Sequence, residues 1–194
     1  MSAPRPPALD LLARLHDDGW LPRPPYTLPT HGERWTVQVV GSPGTPGLTD
    51  FLLTLQSDPG LRAHLLPCAI SDPDSVLGAL AIAHRGCAAA LAIVRGGGER
   101  LELVFNDARV VTCLARWPSY TVLGVGHSTD TVLAGQVVDH EAITPTAAAQ
   151  WLLDAQRRAR ATGVRKPAGG HWPRWRAGLT RGPTVDGWWP RERD

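Results

Sequence analysis

The sequence predicts an α/β domain built on a mainly parallel sheet with helices on both faces. From residue 35 onward, short β-branched stretches alternate with longer stretches of helical spacing, the pattern of successive strand–helix units. The short stretches WTVQVVG, AALAIVR and YTVLGVG are apolar almost throughout, not at every second position, as strands covered on both sides must be. At 194 residues the chain is long enough for one substantial core, and no 20–50-residue repeat divides it.

Residues 1–34 form a Pro-rich N-terminal segment with one short helix, ALDLLARLHDD, whose leucines share a face. LPRPPYTLPTHGER then reads as an irregular linker. WTVQVVG (35–41) is a buried strand bounded by Gly and Pro, and LTDFLLTLQSD (48–58) has helical spacing. HLLPCAI (64–70) is a weaker strand that Pro67 assigns to an edge. SDPDSVLGALAIAHRG (71–86) is a helix with Ser or Asp as N-cap, Pro73 in its first turn and a glycine stop. AALAIVR (89–95) is a strand, and FNDARVVTCLARW (105–117) is a helix capped by Asn106 or Asp107. YTVLGVG (120–126) is the next strand. TDTVLAGQVVDH (129–140) reads as helical, and TPTAAAQWLLDAQRRARATG (144–163) is a strong helix with Pro145 near its start. The α/β domain thus spans 35–163. Residues 164–194, with four Pro, four Trp and no period, are a basic Trp/Arg-rich tail read as irregular.

Composition excludes several classes. No run of eighteen apolar residues exists to cross a membrane, and Asp10, Asp17 and Asp18 interrupt the N-terminal apolar stretch, against a signal peptide. Cys68, Cys87 and Cys113 lack CxxC or Cys/His spacing, so reduced thiols, no metal set and a cytoplasmic location are expected. The net charge of +2 conceals an asymmetry. Residues 1–155 carry 10 Arg against 15 acids, whereas residues 156–194 carry 10 Arg plus Lys against 3 acids. A mildly acidic body therefore bears a basic tail.

In such a sheet, ligands bind beyond the carboxyl ends of the strands. After the first strand comes GSPGTPGLTD, which offers Ser42, Gly44, Thr45 and Gly47 and leads to Asp50. After the third comes Arg95 with Gly96, Gly97 and Gly98, and after the fourth Gly126, His127, Ser128, Thr129 and Asp130. Glycines allow close backbone approach, and helix N-termini present free N–H groups to an anion. A guanidinium suits a phosphate diester, and a histidine beside a carboxylate can move protons at neutral pH. Taken singly, a GGG is an ordinary turn, a histidine at a strand end an ordinary surface residue, and Asp50 or Asp130 a helix-dipole partner. Their convergence on one sheet edge is what marks a site. The chain has no GxxxxGK[ST], no GxGxxG after the first strand and no HExxH, so nucleoside-triphosphate and zinc-protease chemistries fall away.

Together, VRGGGERLELVFND, VLGVGHSTDTVLAGQVVD and ITPTAAAQ, with VVGSPGTPGLTDFL upstream, resemble the catalytic domain of the exodeoxyribonuclease VII large subunit. That family shows RGGGS–EDL–FND, VGHE–D and D–RA–TP–AAAE blocks in this order. The resemblance covers roughly residues 35–155. It implies a Rossmann-like three-layer domain that hydrolyses phosphodiesters of single-stranded DNA with no cofactor and no added divalent metal. Carried over by position, it implies catalytic roles for Asp50, Arg95, His127 and Asp130. Ser42, Gly44, Thr45, Gly96, Gly97, Gly98, Asn106, Gly126, Ser128, Thr129, Thr144 and Thr146 are the candidates for phosphate or substrate contact.

The pattern departs from the family at Glu99, which follows the glycines where Ser is usual, and in the acidic pair, reduced to Glu102. Gly135 replaces an Asp, Glu141 an Arg and Gln150 a Glu. The family's OB-fold and coiled coil have no counterpart in this sequence. The tail, RRARATGVRKPAGGHWPRWRAGLTRG, interleaves Arg with Trp and suits phosphates and stacked bases, and HWPRWR and DGWWPRERD suit a protein partner equally. Two rival readings stand beside the nuclease: a catalytically silent relative that binds DNA or a protein, and an enzyme using the site on a small nucleotide-like metabolite.

Overall fold

The structure, a computed structural model, describes residues 7–23, 28, 34–96, 101–125 and 132–161. Helix α1 (Pro7–Asp17) precedes a β/α alternation: β1 (Trp35–Gly41), α2 (Pro46–Gln56), β2 (Leu61–Pro67), α3 (Pro73–His84) and β3 (Ala90–Arg95). Then come α4 (Leu101–Phe105), α5 (Ala108–Ala115), β4 (Tyr120–Val125), a 3-10 turn (Leu133–Val137), β5 (His140–Ala142) and α6 (Pro145–Ala161). The strands form one five-stranded sheet in the order β2-β1-β3-β4-β5, with every pairing parallel. A mainly parallel, three-layer α/β domain is thus what the chain forms.

Alternation along the strands builds two cores. Val40, Leu91, Ile93, Leu123 and Val125 point to one face, where they meet Leu15 of α1, Leu80 of α3 and Leu114 of α5. Val37, Val39, Ala90, Ala92, Val94 and Val122 point to the other, against Phe51 of α2 and Leu152 of α6. Both sides of β3 are buried at every position, which is why it reads as an unbroken apolar run. Small residues set the spacing where helices come nearest. A Cβ at Gly124 would fall 2.8 Å from the Ala148 Cβ, so glycine there lets the start of α6 lie directly on β4.

Three elements differ from the sequence expectation. β2 begins three residues earlier than predicted and ends at Pro67, still as an edge strand. The stretch predicted as a helix over 129–140 contains only the 3-10 turn in its described part and then enters β5, whose three residues are too short to carry a strand pattern. A separate five-residue α4 precedes α5, which takes its cap from Asp107, whose carboxylate accepts the Arg109 and Val110 amides.

The N-terminal segment is stitched to the domain. Leu15 is 2% exposed in the first core, and the Arg23 guanidinium enters the far end of the sheet. Its Nη1 donates to Leu114 O (2.9 Å), Thr121 Oγ1 (2.7 Å) and Val137 O (3.2 Å), and its Nη2 to Trp117 O (3.0 Å) and Ser119 O (3.1 Å). It also pairs with the buried Asp139 carboxylate at 3.3 Å. Asp139 in turn accepts the Thr121 amide (2.7 Å) and hydroxyl (2.8 Å), so the ion pair is enclosed by hydrogen bonds.

Candidate active site at the carboxyl edge of the sheet

The strand order creates the site. The connection after β1 leaves toward the α2/α6 face and the one after β3 toward the α3/α5 face, and these two strands are neighbours. A crevice opens where adjacent connections diverge in this way. A cleft of about 330 Å³ lies there, lined by Ser42, Thr45, Pro46, Gly47, Ile70, Ser71, Arg95 and Gly96.

Strand register places the predicted residues in one row. Val40 pairs with Ile93, so Ser42 stands level with Arg95 two residues further on. Arg95 itself is the register partner of Val125, the residue before the Gly126–Asp130 stretch. Gly124 pairs with Ala142, which brings Thr144 to the same edge. Residues 97–100 and 126–131 lie outside the described residues, so Gly97, Gly98, Gly126, His127, Ser128, Thr129 and Asp130 are located only by the strand ends that lead to them.

Arg95 is 8% exposed and lines the cleft, an unusual degree of burial for a guanidinium. Burial pulls its pKa below the ordinary arginine value, and the Glu102 carboxylate acts in the opposite direction. A desolvated cation at a cleft wall interacts with an anion through less screening water than a surface arginine would.

Beside it, the turn Ser42-Pro43-Gly44-Thr45 delivers the chain into α2. Gly44 has φ 78°, a conformation that favours glycine, and the Thr45 amide closes the turn on Ser42 O at 3.4 Å. Thr45 occupies the N-cap position of α2 without making a side-chain cap bond, and its hydroxyl donates back to Ser42 O (2.8 Å). The first amides of α2 have no intrahelical acceptors and no cap, which suits them to an anion in the cleft. Ser42 Oγ is also engaged, donating to Cys68 O (2.8 Å) and accepting the Ile70 amide (2.8 Å). The Ser42 and Thr45 hydroxyls therefore brace the loops of this edge.

Gly47 and Gly96 meet across the cleft floor. A Cβ at Gly47 would fall 2.5 Å from both Cα and N of Gly96 and 3.0 Å from Pro145 Cγ. Three connections, those entering α2, leaving β3 and entering α6, touch at this point. Thr144 caps α6, its Oγ1 accepting the Ala147 amide at 3.1 Å, and Thr146 is exposed on the first turn of that helix.

Asp50 lies further along α2, exposed and outside the cleft lining. Asn106 does not line the cleft either. Its Oδ1 accepts the Leu133 amide at 2.7 Å. Ile70 and Ser71 were not anticipated, because placing the second strand at 64–70 put Ile70 inside it. The early end of β2 at Pro67 makes 68–71 a loop of the same edge. The departures at Gly135 and Glu141 are coupled. The Glu141 carboxylate occupies the space that any side chain at 135 would need, and burial pushes its pKa up. Among the described residues no group of three or more His, Cys, Asp or Glu is placed to hold a metal, and no helix is long and apolar enough to cross a membrane.

These features define an α/β domain of flavodoxin-like strand order with a cleft at the β1/β3 switch point. Comparison with known proteins makes the assignment particular. The family model for the exonuclease VII large subunit matches residues 27–166, and the chain belongs to that family. It is 35% identical over 155 residues to the exodeoxyribonuclease 7 large subunit of Nitrosomonas europaea, covering 77% of this chain and 34% of that protein. The corresponding protein of Cyanothece sp. is 38% identical over 129 residues, 63% of this chain and 30% of the relative. That of Tolumonas auensis is 37% identical over 155 residues, 76% and 34%. The chain thus spans about a third of the length of these curated relatives.

Proposed function

We propose that this chain hydrolyses phosphodiester bonds of single-stranded DNA at the β1/β3 cleft, without requiring a divalent metal. The observation that carries the reading is the register pairing of Arg95 with Val125, which sets a buried guanidinium beside the strand that leads into His127 and Asp130. In this reading Arg95 and the first amides of α2 hold the scissile phosphate and stabilise the charge that develops on it. Water forms the new P–O bond and the departing sugar oxygen breaks away. His127, oriented by Asp130 or Asp50, moves protons between the water and the leaving oxygen. Gly96, Gly97, Gly98 and Gly126 allow the backbone to approach the strand closely. The basic tail supplies further phosphate contacts or docks a protein partner. The relatives, named as exodeoxyribonuclease 7 large subunits, support the reaction class.

A second reading, a catalytically silent domain that binds DNA or a protein partner, is favoured by Glu141, which puts a carboxylate where the family pattern has an Arg. Cleavage of end-labelled single-stranded DNA in EDTA by wild type and His127→Ala separates the two. Cleavage by wild type that is lost in the variant supports the nuclease. Binding by both without cleavage by either supports the silent domain.

A further inference from the structure

Asn106 and Asp107 are the two residues between α4 and α5, and hydrogen bonds tie both to the adjoining helices. Val104 and Phe105 are fully buried, and the Asn106 amide closes the last turn of α4 on Glu102 O at 3.0 Å. On its other side Asp107 caps α5. From this fixed point the Asn106 side chain crosses 27 residues of sequence to accept the Leu133 amide on Oδ1 at 2.7 Å. Leu133 is the first residue of the 3-10 turn, whose N-cap, Val132, has no side-chain acceptor to offer. Asn106 therefore supplies at long range the cap that the local sequence lacks. The orientation of its amide follows from chemistry, because only the oxygen can accept from an N–H. Val132, 2% exposed, buries the same point of the chain in the first core.

We propose that Asn106 is a positioning residue of the nuclease site. It fixes Leu133, three residues after Asp130 in sequence, while Val125, paired with Arg95, stands two residues before His127. Because α4 and α5 also continue directly from the glycine-rich stretch after Arg95, one residue ties the two catalytic connections to each other. The role rests on the nuclease reading. It assigns Asn106 an acceptor's task on the backbone in place of contact with substrate.

The test compares Asn106→Ala with Asn106→Asp in the full 194-residue chain. Aspartate keeps the acceptor but loses the Nδ2 donor, whereas alanine loses both. Positioning predicts that N106A lowers kcat on single-stranded DNA by about 10–100-fold with KM changed by less than about 3-fold, the scale of a misplaced catalytic group. N106D then keeps kcat within about 3-fold of wild type. Hydrogen exchange at the Leu133 amide rises in N106A and stays near wild type in N106D. A contact from Nδ2 to substrate predicts the reverse, with N106D at least as impaired as N106A and KM raised, and that result overturns the proposal. N106D remains decisive if N106A does not fold. If wild type cleaves no DNA, the positioning role falls with the nuclease reading. Unchanged Leu133 exchange in N106A overturns the clamp alone, whatever the activity.

Discussion

Gly47→Ala inserts one methyl group where the structure has no room for it. The new Cβ would lie 2.5 Å from Cα and N of Gly96 and 3.0 Å from Pro145 Cγ. Two of these contacts are backbone atoms, so no side chain can rotate away, and the entry to α2 must separate from the exit of β3. Overpacking of this kind costs about 1–3 kcal/mol. At about 2–4 °C per kcal/mol for a domain of this size, Tm should fall by roughly 2–12 °C. The effect on activity should be larger than stability alone explains, because the two surfaces that separate are the walls of the cleft, and a displacement near 1 Å costs about 100-fold in rate. Thermal unfolding and single-stranded DNA cleavage are measured side by side, with Gly44→Ala as comparison. Gly44 has open space around its missing Cβ but φ 78°, so alanine there incurs only backbone strain of about 1–2 kcal/mol. A Gly47→Ala protein with Tm within about 1 °C of wild type and an unchanged rate would refute the argument that this backbone contact sets the cleft.

Arg23→Met should destabilise the domain by about 3–5 kcal/mol in urea unfolding, since it strands the buried Asp139 carboxylate and five acceptors; a loss under about 1 kcal/mol would show that the N-terminal segment does not anchor the sheet. Gly78→Ala, on the exposed side of α3 with nothing near its missing Cβ, should raise stability by up to about 1 kcal/mol through helix propensity, and a decrease would contradict the open environment described for it. Burial pushes the Asp107 carboxyl up, but the Arg109 guanidinium and the Arg109 and Val110 amides outweigh it and hold it below the usual aspartate range. A depressed carboxyl contributes stability that is fully present above its unfolded value of 3.8 and is lost as pH falls through its folded value. Asp107→Asn should therefore flatten the loss of stability below about pH 4, and an acid limb as steep as wild type would refute that assignment.

What could be read from residues alone was whatever burial or backbone geometry imposes locally. The runs at 35–41, 90–95 and 120–125 are buried on both faces, so their apolar continuity announced strands. Asp72 and Pro73 marked the start of α3 because capping and a fixed φ are properties of those residue types. Arg95 was singled out because it converges with other polar residues on the carboxyl edge of the sheet, and it does line the cleft there. Less was visible where long-range contacts decide. β5 exists because three residues pair with β4, and its sequence, His-Glu-Ala, has no strand preference of its own. The linker reading of residues 21–34 overlooked Arg23, whose hydrogen-bond and ion-pair partners run from Leu114 to Asp139. Ser42, Thr45 and Asn106 carry polar groups in the right neighbourhood, but whether such groups face a ligand or brace a loop depends on acceptors that no local pattern reveals.

The central claim is that Arg95 and His127 act on one phosphate. A double-mutant cycle of Arg95→Lys and His127→Ala, read as kcat/KM on single-stranded DNA in EDTA, tests it most directly. Each substitution should lower kcat/KM by about 100-fold or more, because lysine cannot reproduce the guanidinium's fork and alanine removes the proton carrier. If the two groups serve one transition state, the double variant should be no more than about 3-fold worse than the weaker single variant. Losses that multiply, or a single variant that cleaves as wild type does, would contradict a shared site at this edge of the sheet.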